Sequence, residues 1–212
     1  MVKFIMEDKL LKKEQSTDKI ILQSAREVFM KSGLQGARMQ EIADKASINK
    51  AMLYYYYRSK EDLFKAVFIE EIYKVMPKIS ELLAVDLPLF DKIRYFVENY
   101  IDIIKRNKHM PIFVLTEINQ NPERIVSFAR EKVMTYFHVL VKDVEKAYKE
   151  GLIIKIEPQQ LIVNMLALCL FPFAARPMVK GIFGMDEDAF DEFIDRRKKE
   201  VPDFIINAIK VK

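Results

Sequence analysis

Apolar residues recur along most of this 212-residue chain at three- and four-residue spacing, the period of an amphipathic helix. Ile21, Ala25, Val28 and Phe29 share one face and predict a helix over about 16–31, with Ser16 or Thr17 as its N-cap. Gly33 is expected to stop it, and Leu34 to supply the apolar contact that follows such a stop. Two short helices follow, about 39–45 with Ile42, Ala43 and Ala46 facing inward, and about 50–56, joined by Ser47-Ile48-Asn49. Ser59 opens a long helix from Lys60 to about Leu83, and Asp62 stands where it completes a capping box. Beyond Pro88 the spacing predicts helices near 89–106, 109–119, 122–150, 158–178 and 187–210. Gly151 ends one, and Pro158 opens the next at a position that needs no N–H. The last helix begins Asp186-Glu187-Asp188 and later carries Arg196-Arg197-Lys198-Lys199, charges that complement the helix dipole.

With only 5 Gly and 8 Pro, and no strand-period alternation, the fold class is all-α. Half of the residues are hydrophobic and 31% charged, enough apolar surface for a core. Charge sharpens this picture. The first 60 residues hold 12 Lys and Arg against 7 Asp and Glu; the rest hold 23 against 24. A basic head on a neutral body suits a polyanion partner. Cys169 is the single cysteine, so no intramolecular disulfide forms. The start MVKFIMEDKLLKKEQ lacks a signal-peptide apolar run, and Leu161–Ala175 is shorter than the ~20 residues of a membrane span. A soluble cytoplasmic protein with no membrane partner is expected. There is no Gly-rich phosphate loop, HExxH or CxxC. The acids Asp186, Glu187, Asp188 and Asp191 open a helix and read as dipole complement rather than metal ligands. Neither catalysis, nor a metal, nor a cofactor is expected.

Residues 39–57, MQEIADKASINKAMLYYYY, have the spacing of a helix-turn-helix. Ala43 is small where the two helices approach, Ser47 begins the turn, and Ile48 and Leu53 close the small core. The second helix of such a unit presents its N-terminal residues to base edges in the major groove. Asn49 and Lys50 stand there; Asn pairs with adenine, and Lys donates to guanine O6 or N7. Tyr54 lies one turn further on the same face. Tyr55 and Tyr56 carry hydroxyls suited to phosphates, Lys60 stands at the positive start of the next helix, and Tyr57 is read as core.

The stretch ILQSAREVFMKSGLQGARMQEIADKASINKAMLYYYYRSKEDLF, within residues 16–64, resembles the DNA-binding region of the tetracycline-repressor (TetR) family. Phe29 and Gly33 end the first helix, Glu41-Ile42-Ala43 and Leu53-Tyr54-Tyr55 follow, and Ser59-Lys60-Glu61-Asp62-Leu63 opens the fourth helix. The resemblance implies a 16–64 DNA-binding domain after an extension at 1–15, and a 65–212 helical domain for ligand binding and dimerisation. It also implies that Asn49, Lys50, Ala51 and Tyr54 face bases while Tyr55, Tyr56 and Lys60 hold phosphates. Arg38 and Met39 stand where the family often has Thr, and Arg38 supplies a phosphate contact by charge instead. Ser47 replaces the usual Gly, which predicts a slightly strained turn beside the DNA; Tyr56 replaces His, and Tyr57 replaces Phe. The extension, with Lys3, Lys9, Lys12 and Lys13, is read as a solvated tail, the alternative being a minor-groove arm.

For the body, the resemblance suggests that the last two helices pair with their copies in a four-helix bundle. Leu161, Leu168 and Cys169 on one, and Phe190, Phe193, Ile194 and Ile205 on the other, are the candidate dimer residues. Phe96, Tyr100, Met110, Phe113, Met134, Phe137, Met165 and Phe171 are candidates for an adaptable apolar pocket, although side chains at this spacing are more often core. His109, His138, Asn119, Gln120 and Asn164 are possible polar groups there. The function expected is a dimeric repressor on palindromic operator DNA, released by a small apolar or amphipathic inducer that changes the tilt of the helix from Lys60. The competing reading is a helical interaction or structural protein without specific DNA binding.

Overall fold

The computed structural model describes the backbone of residues 2–107, 110–120, 122–123 and 134–212, and the side chains of 16–107, 111–112, 114–115, 118–119, 122–123 and 136–212. Its helices are α1 (Val2–Gly36), α2 (Met39–Lys45), α3 (Lys50–Tyr56), α4 (Lys60–Ala84), α5 (Leu89–Arg106), α6 (Met110–Gln120), α7 (Met134–Lys149), α8 (Pro158–Ala174), α9 (Arg176–Phe183) and α10 (Glu187–Ile209). Two compact units result, Met1–Tyr73 and Lys74–Lys212, and the division falls inside α4, beyond Phe64.

In the first unit α1 is already helical at Val2, so Ser16 and Thr17 lie mid-helix rather than capping it, and the backbone of the 1–15 extension is helix from Val2 onward. Gly33 breaks the regular geometry at φ 64°, a left-handed value that glycine tolerates, and one further turn reaches Gly36. The predicted face of Ile21, Ala25, Val28 and Phe29 is buried, together with Ile42, Ala43, Leu53, Leu63, Phe64 and Val67. Phe29 meets Phe64 edge-on at 5.0 Å. Arg26 on α1 pairs with Glu70 (2.9 Å) and Glu71 (2.6 Å) on α4, and Lys45 on α2 pairs with Glu27 (2.8 Å).

In the second unit α5 packs along α10 and α8, and α7 closes against α5 and α8. The buried core runs through Ile93, Phe96, Val97, Tyr100 and Ile101 of α5, Leu140 and Val144 of α7, Leu161, Met165 and Cys169 of α8, and Phe190, Ile194 and Ile205 of α10. Leu161, Cys169, Phe190, Ile194 and Ile205 were expected at a dimer contact. They are instead buried against their own protomer and have no surface left for a second chain. The reason is that α8 is apolar nearly all round, and its most regular stripe turns toward α5 and α10. Burial pushes the Cys169 thiol up to about 12.

The helix predicted over 158–178 breaks at Ala175. Pro177 has no N–H to continue the ladder, and α9 departs from α8 at 71°. No single helix among the described residues is long and apolar enough to cross a membrane. Of the predicted 122–150 helix, 122–123 and 134–149 are described and helical. The Arg196–Lys199 run lies mid-way along α10, whose last turn holds no basic residue, so it forms lateral ties and not the expected dipole complement. Asp186 caps α10 by accepting from the Ala189 N–H at 2.8 Å. Residues 152–154 and 209–211 clasp through an isolated antiparallel bridge, with Ile154 N–H donating to Ile209 O (2.8 Å) and Val211 N–H to Leu152 O (3.1 Å).

Candidate nucleic-acid interface

The reading unit is built from short-range rules. After α2, Ser47 takes φ 55°, the one positive φ outside glycine among the described residues, so the strain expected from its replacing Gly is present in the backbone. The turn is closed by Ser47 N–H to Asp44 O (3.1 Å) and Ile48 N–H to Ala43 O (3.0 Å). Asn49 then adopts extended geometry, and its Oδ1 accepts from the Met52 N–H at 2.7 Å. Asn49 is thus the N-cap of α3. That bond uses one lone pair of the side-chain amide oxygen and leaves the second lone pair and the amide NH2 open to a partner.

With Leu53 buried, the opposite face of α3 is open to solvent. Lys50, Ala51, Tyr54 and Tyr55 are exposed, Tyr55 by 76%. The Lys50 ammonium lies over the Tyr54 ring, 5.9 Å from its centroid, within cation–π range. Tyr55 and Tyr56 meet edge-on at 5.5 Å, Tyr56 half-buried. Tyr57, read from sequence as core, is half-buried, and its hydroxyl donates to Asp18 at 2.7 Å. Burial and that carboxylate raise its pKa well above the ordinary tyrosine value. The Asp18 contact was invisible in sequence, since the partners lie 39 residues apart.

The capping box around Ser59 takes a modified form. Its Oγ accepts from the Asp62 N–H (3.0 Å) and donates to the Asp62 carboxylate (2.7 Å). Lys60 Nζ donates to the Ala37 carbonyl at 3.2 Å, which fixes the start of α4 beside the start of α2. Arg38 occupies the N-cap position of α2 in extended geometry, makes no side-chain cap there and is exposed. Ser47 is exposed at the turn. Arg38, Lys50, Tyr54, Tyr55 and Lys60 are therefore carried by one compact frame.

Residues 21–67 match the family described as bacterial regulatory proteins, tetR family. The first unit thus carries the DNA-binding region of that family. The chain is a transcriptional regulator with a DNA-binding helix-turn-helix. It is 23% identical to the transcriptional regulator UidR of Escherichia coli K12 over 149 residues, 69% of this chain and 74% of that protein. It is 42% identical to the transcriptional repressor NicS of Pseudomonas putida over 67 residues, 32% of this chain and 31% of the other. The crystal structure of the transcriptional regulator FadR from Bacillus subtilis in complex with stearoyl-CoA superposes with a TM-score of 0.62 at 15% identity, over 89% of this chain and 97% of that one. These relatives are regulators, not enzymes.

In the second unit, the ligand candidates among the described side chains do not gather at one opening. Phe96, Tyr100 and Met165 are packed in the core, with the Phe96 and Tyr100 rings 5.3 Å apart. Phe137 is half-buried, and the side chains of Met110, Phe113 and Met134 lie outside the described residues. His138 is exposed, His109 and the Gln120 side chain lie outside the described residues, and Asn119 donates to the Leu115 carbonyl of its own helix at 2.7 Å. Phe171 instead lines a groove of about 570 Å³ between α8, α10 and residues 154–156, with Leu168, Asn164, Arg197 and Phe204. Phe171 and Phe204 are 57% and 67% exposed, and Val163 on α8 and Ile154 are exposed as well. Arg197 donates to the Leu168 carbonyl (2.7 Å) and stacks on Phe193 (5.6 Å). Sequence periodicity had marked the apolar residues of α8 and α10, but not which of them remain outside. A second cavity, about 380 Å³, lies at the α4–α5 link, where Asp86, Phe90, Asp143, Lys146 and Glu150 mix polar and apolar walls.

Proposed function

We propose that this regulator is a dimeric repressor that reads a palindromic operator with the exposed face of α3 and is released by an apolar or amphipathic small molecule. The observation that carries the reading is the α3 frame: Asn49 as the cap, and Lys50, Tyr54 and Tyr55 presented outward from a buried Leu53. One such helix spans only a few base pairs, so two heads are needed for a specific site. The open groove of α8 and α10 supports a second copy as its cover. Phe171 and Phe204 there are exposed apolar walls of the kind that marks an interaction surface. Leu168 and Phe193, which are only half-buried, are the two dimer candidates from sequence that this placement retains.

An acyl chain is the inducer class favoured, on the strength of the stearoyl-CoA carried by the B. subtilis relative and of the apolar, Met- and Phe-rich middle helices. Selection of bound genomic DNA fragments tests the reading, with Tyr54→Ala and Lys60→Ala as controls. An inverted-repeat site recovered by the wild type and lost by both variants is the expected result; no enrichment at moderate salt would sink it. Titrating long-chain acyl-CoA against the recovered operator then tests the inducer class, and unchanged operator affinity at saturating ligand excludes it.

A further inference from the structure

We propose that Arg58 grips the DNA backbone and completes, with Arg38 and Lys60, one phosphate-binding cluster beside α3. This rests on the DNA-binding reading of α3 and adds a contact that neither the sequence reading nor the family match assigns. Arg58 lies in the short link between α3 and α4, and both of its neighbours are fixed. Tyr57 closes α3 in extended geometry, with its N–H on the Leu53 carbonyl (2.9 Å) and its hydroxyl on Asp18 (2.7 Å). Ser59 is locked to Asp62 by the paired hydrogen bonds at the start of α4. The Arg58 backbone is therefore held in place while its side chain is exposed.

The Lys60 hydrogen bond to Ala37 brings the other cations to the same point. Arg38 follows Ala37, and Arg58 precedes Lys60 by two residues, so the backbone segments that carry all three positive side chains meet at one contact. Among the described residues neither Arg38 nor Arg58 has a carboxylate partner. Arg26 and Lys45, in the same unit, are both ion-paired. Guanidinium groups that are not ion-paired remain available to a polyanion. A planar guanidinium on a rigid link is suited to two-pronged contact with a phosphodiester. Such a contact carries no sequence information: it sets register and affinity equally on every site.

The test is the salt dependence of binding by the full-length protein. Wild type, Arg58→Gln and Arg58→Lys are titrated with operator and with random duplex DNA between 50 and 200 mM salt, about the range over which phosphate contacts dominate affinity. The expected result for Arg58→Gln is weaker binding to both DNAs by a similar factor. Its log K against log salt slope should be shallower by about one, while Arg58→Lys keeps most of the slope. A slope unchanged in Arg58→Gln overturns the proposal, whether or not affinity falls, because a merely structural role leaves the counterion count alone. Loss of discrimination between operator and random DNA would also overturn it, by making Arg58 a base reader. If the wild type itself fails to discriminate, the operator reading of α3 fails first.

Discussion

Around α3, Arg38, Lys50 and Arg58 stand exposed without a carboxylate among the described residues, and Ser47 holds a left-handed backbone. In the second unit several charges pair across helices. Buried Lys92 on α5 pairs with Asp143 on α7. Arg94 meets Asp203 at 2.5 Å, and Lys105 meets Asp195 at 2.8 Å. Lys198 links Asp102 and Asp195 at 2.6 and 3.2 Å, and Arg176 and Lys180 both hold Glu187. The second unit also leaves large apolar side chains exposed: Phe171, Phe204, and Met178, Ile182 and Phe183 of α9. The same side-chain types thus do opposite work. Paired across helices they fix a scaffold; left unpaired on a rigid frame they are available to a partner.

Four substitutions probe that contrast. Asp143→Ala strands the Lys92 ammonium in the core and is expected to cost about 3–5 kcal/mol in urea unfolding. Lys50→Ala, which strands nothing, should change stability by less than about 0.5 kcal/mol; comparable losses in the two variants would erase the distinction. Phe204→Glu puts a charge in the open groove of α8 and α10. It should weaken self-association by about 2 kcal/mol or more, read by sedimentation equilibrium, with the monomer still folded. A dimer of undiminished strength would move the interface elsewhere. Ser47→Gly removes the left-handed penalty and should stabilise the first unit by about 1 kcal/mol, seen as a higher melting temperature. An unchanged or lower value would mean that the Ser47 side chain compensates locally.

The smallest effect concerns acid. The Lys105 hydrogen bond, and after it Lys198, hold the Asp195 carboxyl below its ordinary range. Its contribution is present above the ordinary carboxylate pKa and lost as pH falls through the lowered folded value. Exposure keeps it below about 1 kcal/mol. Asp195→Asn should therefore lower stability by that amount near neutral pH and leave it unchanged at strongly acidic pH, and a loss persisting undiminished in strong acid would refute the assignment.

Legibility in the sequence followed the range of the forces involved. The reading unit was clear because it is local: Ala43, Ser47, Ile48 and Leu53 lie within a dozen residues and their spacing has few solutions. The residue type at Asn49 fitted two roles, and the Met52 N–H distance establishes the cap. In the second unit the 3.6-residue period located the helices but not their neighbours. Leu161, Cys169 and Phe190 therefore looked as suitable for a partner chain as for their own core. The break at Ala175 carried a signal in Pro177, masked by the strong apolar run that ends beside it.

The position of Cys169 gives the molecule a built-in clock. As the only thiol in the chain, enclosed by α8 and its neighbours and hard to deprotonate, it is shielded from alkylating reagents while the second unit stays closed. Its labelling rate in the native protein therefore counts openings of that unit directly, with no engineered probe. An inducer that tightens the helices around it will slow the count, and one that spreads them will quicken it.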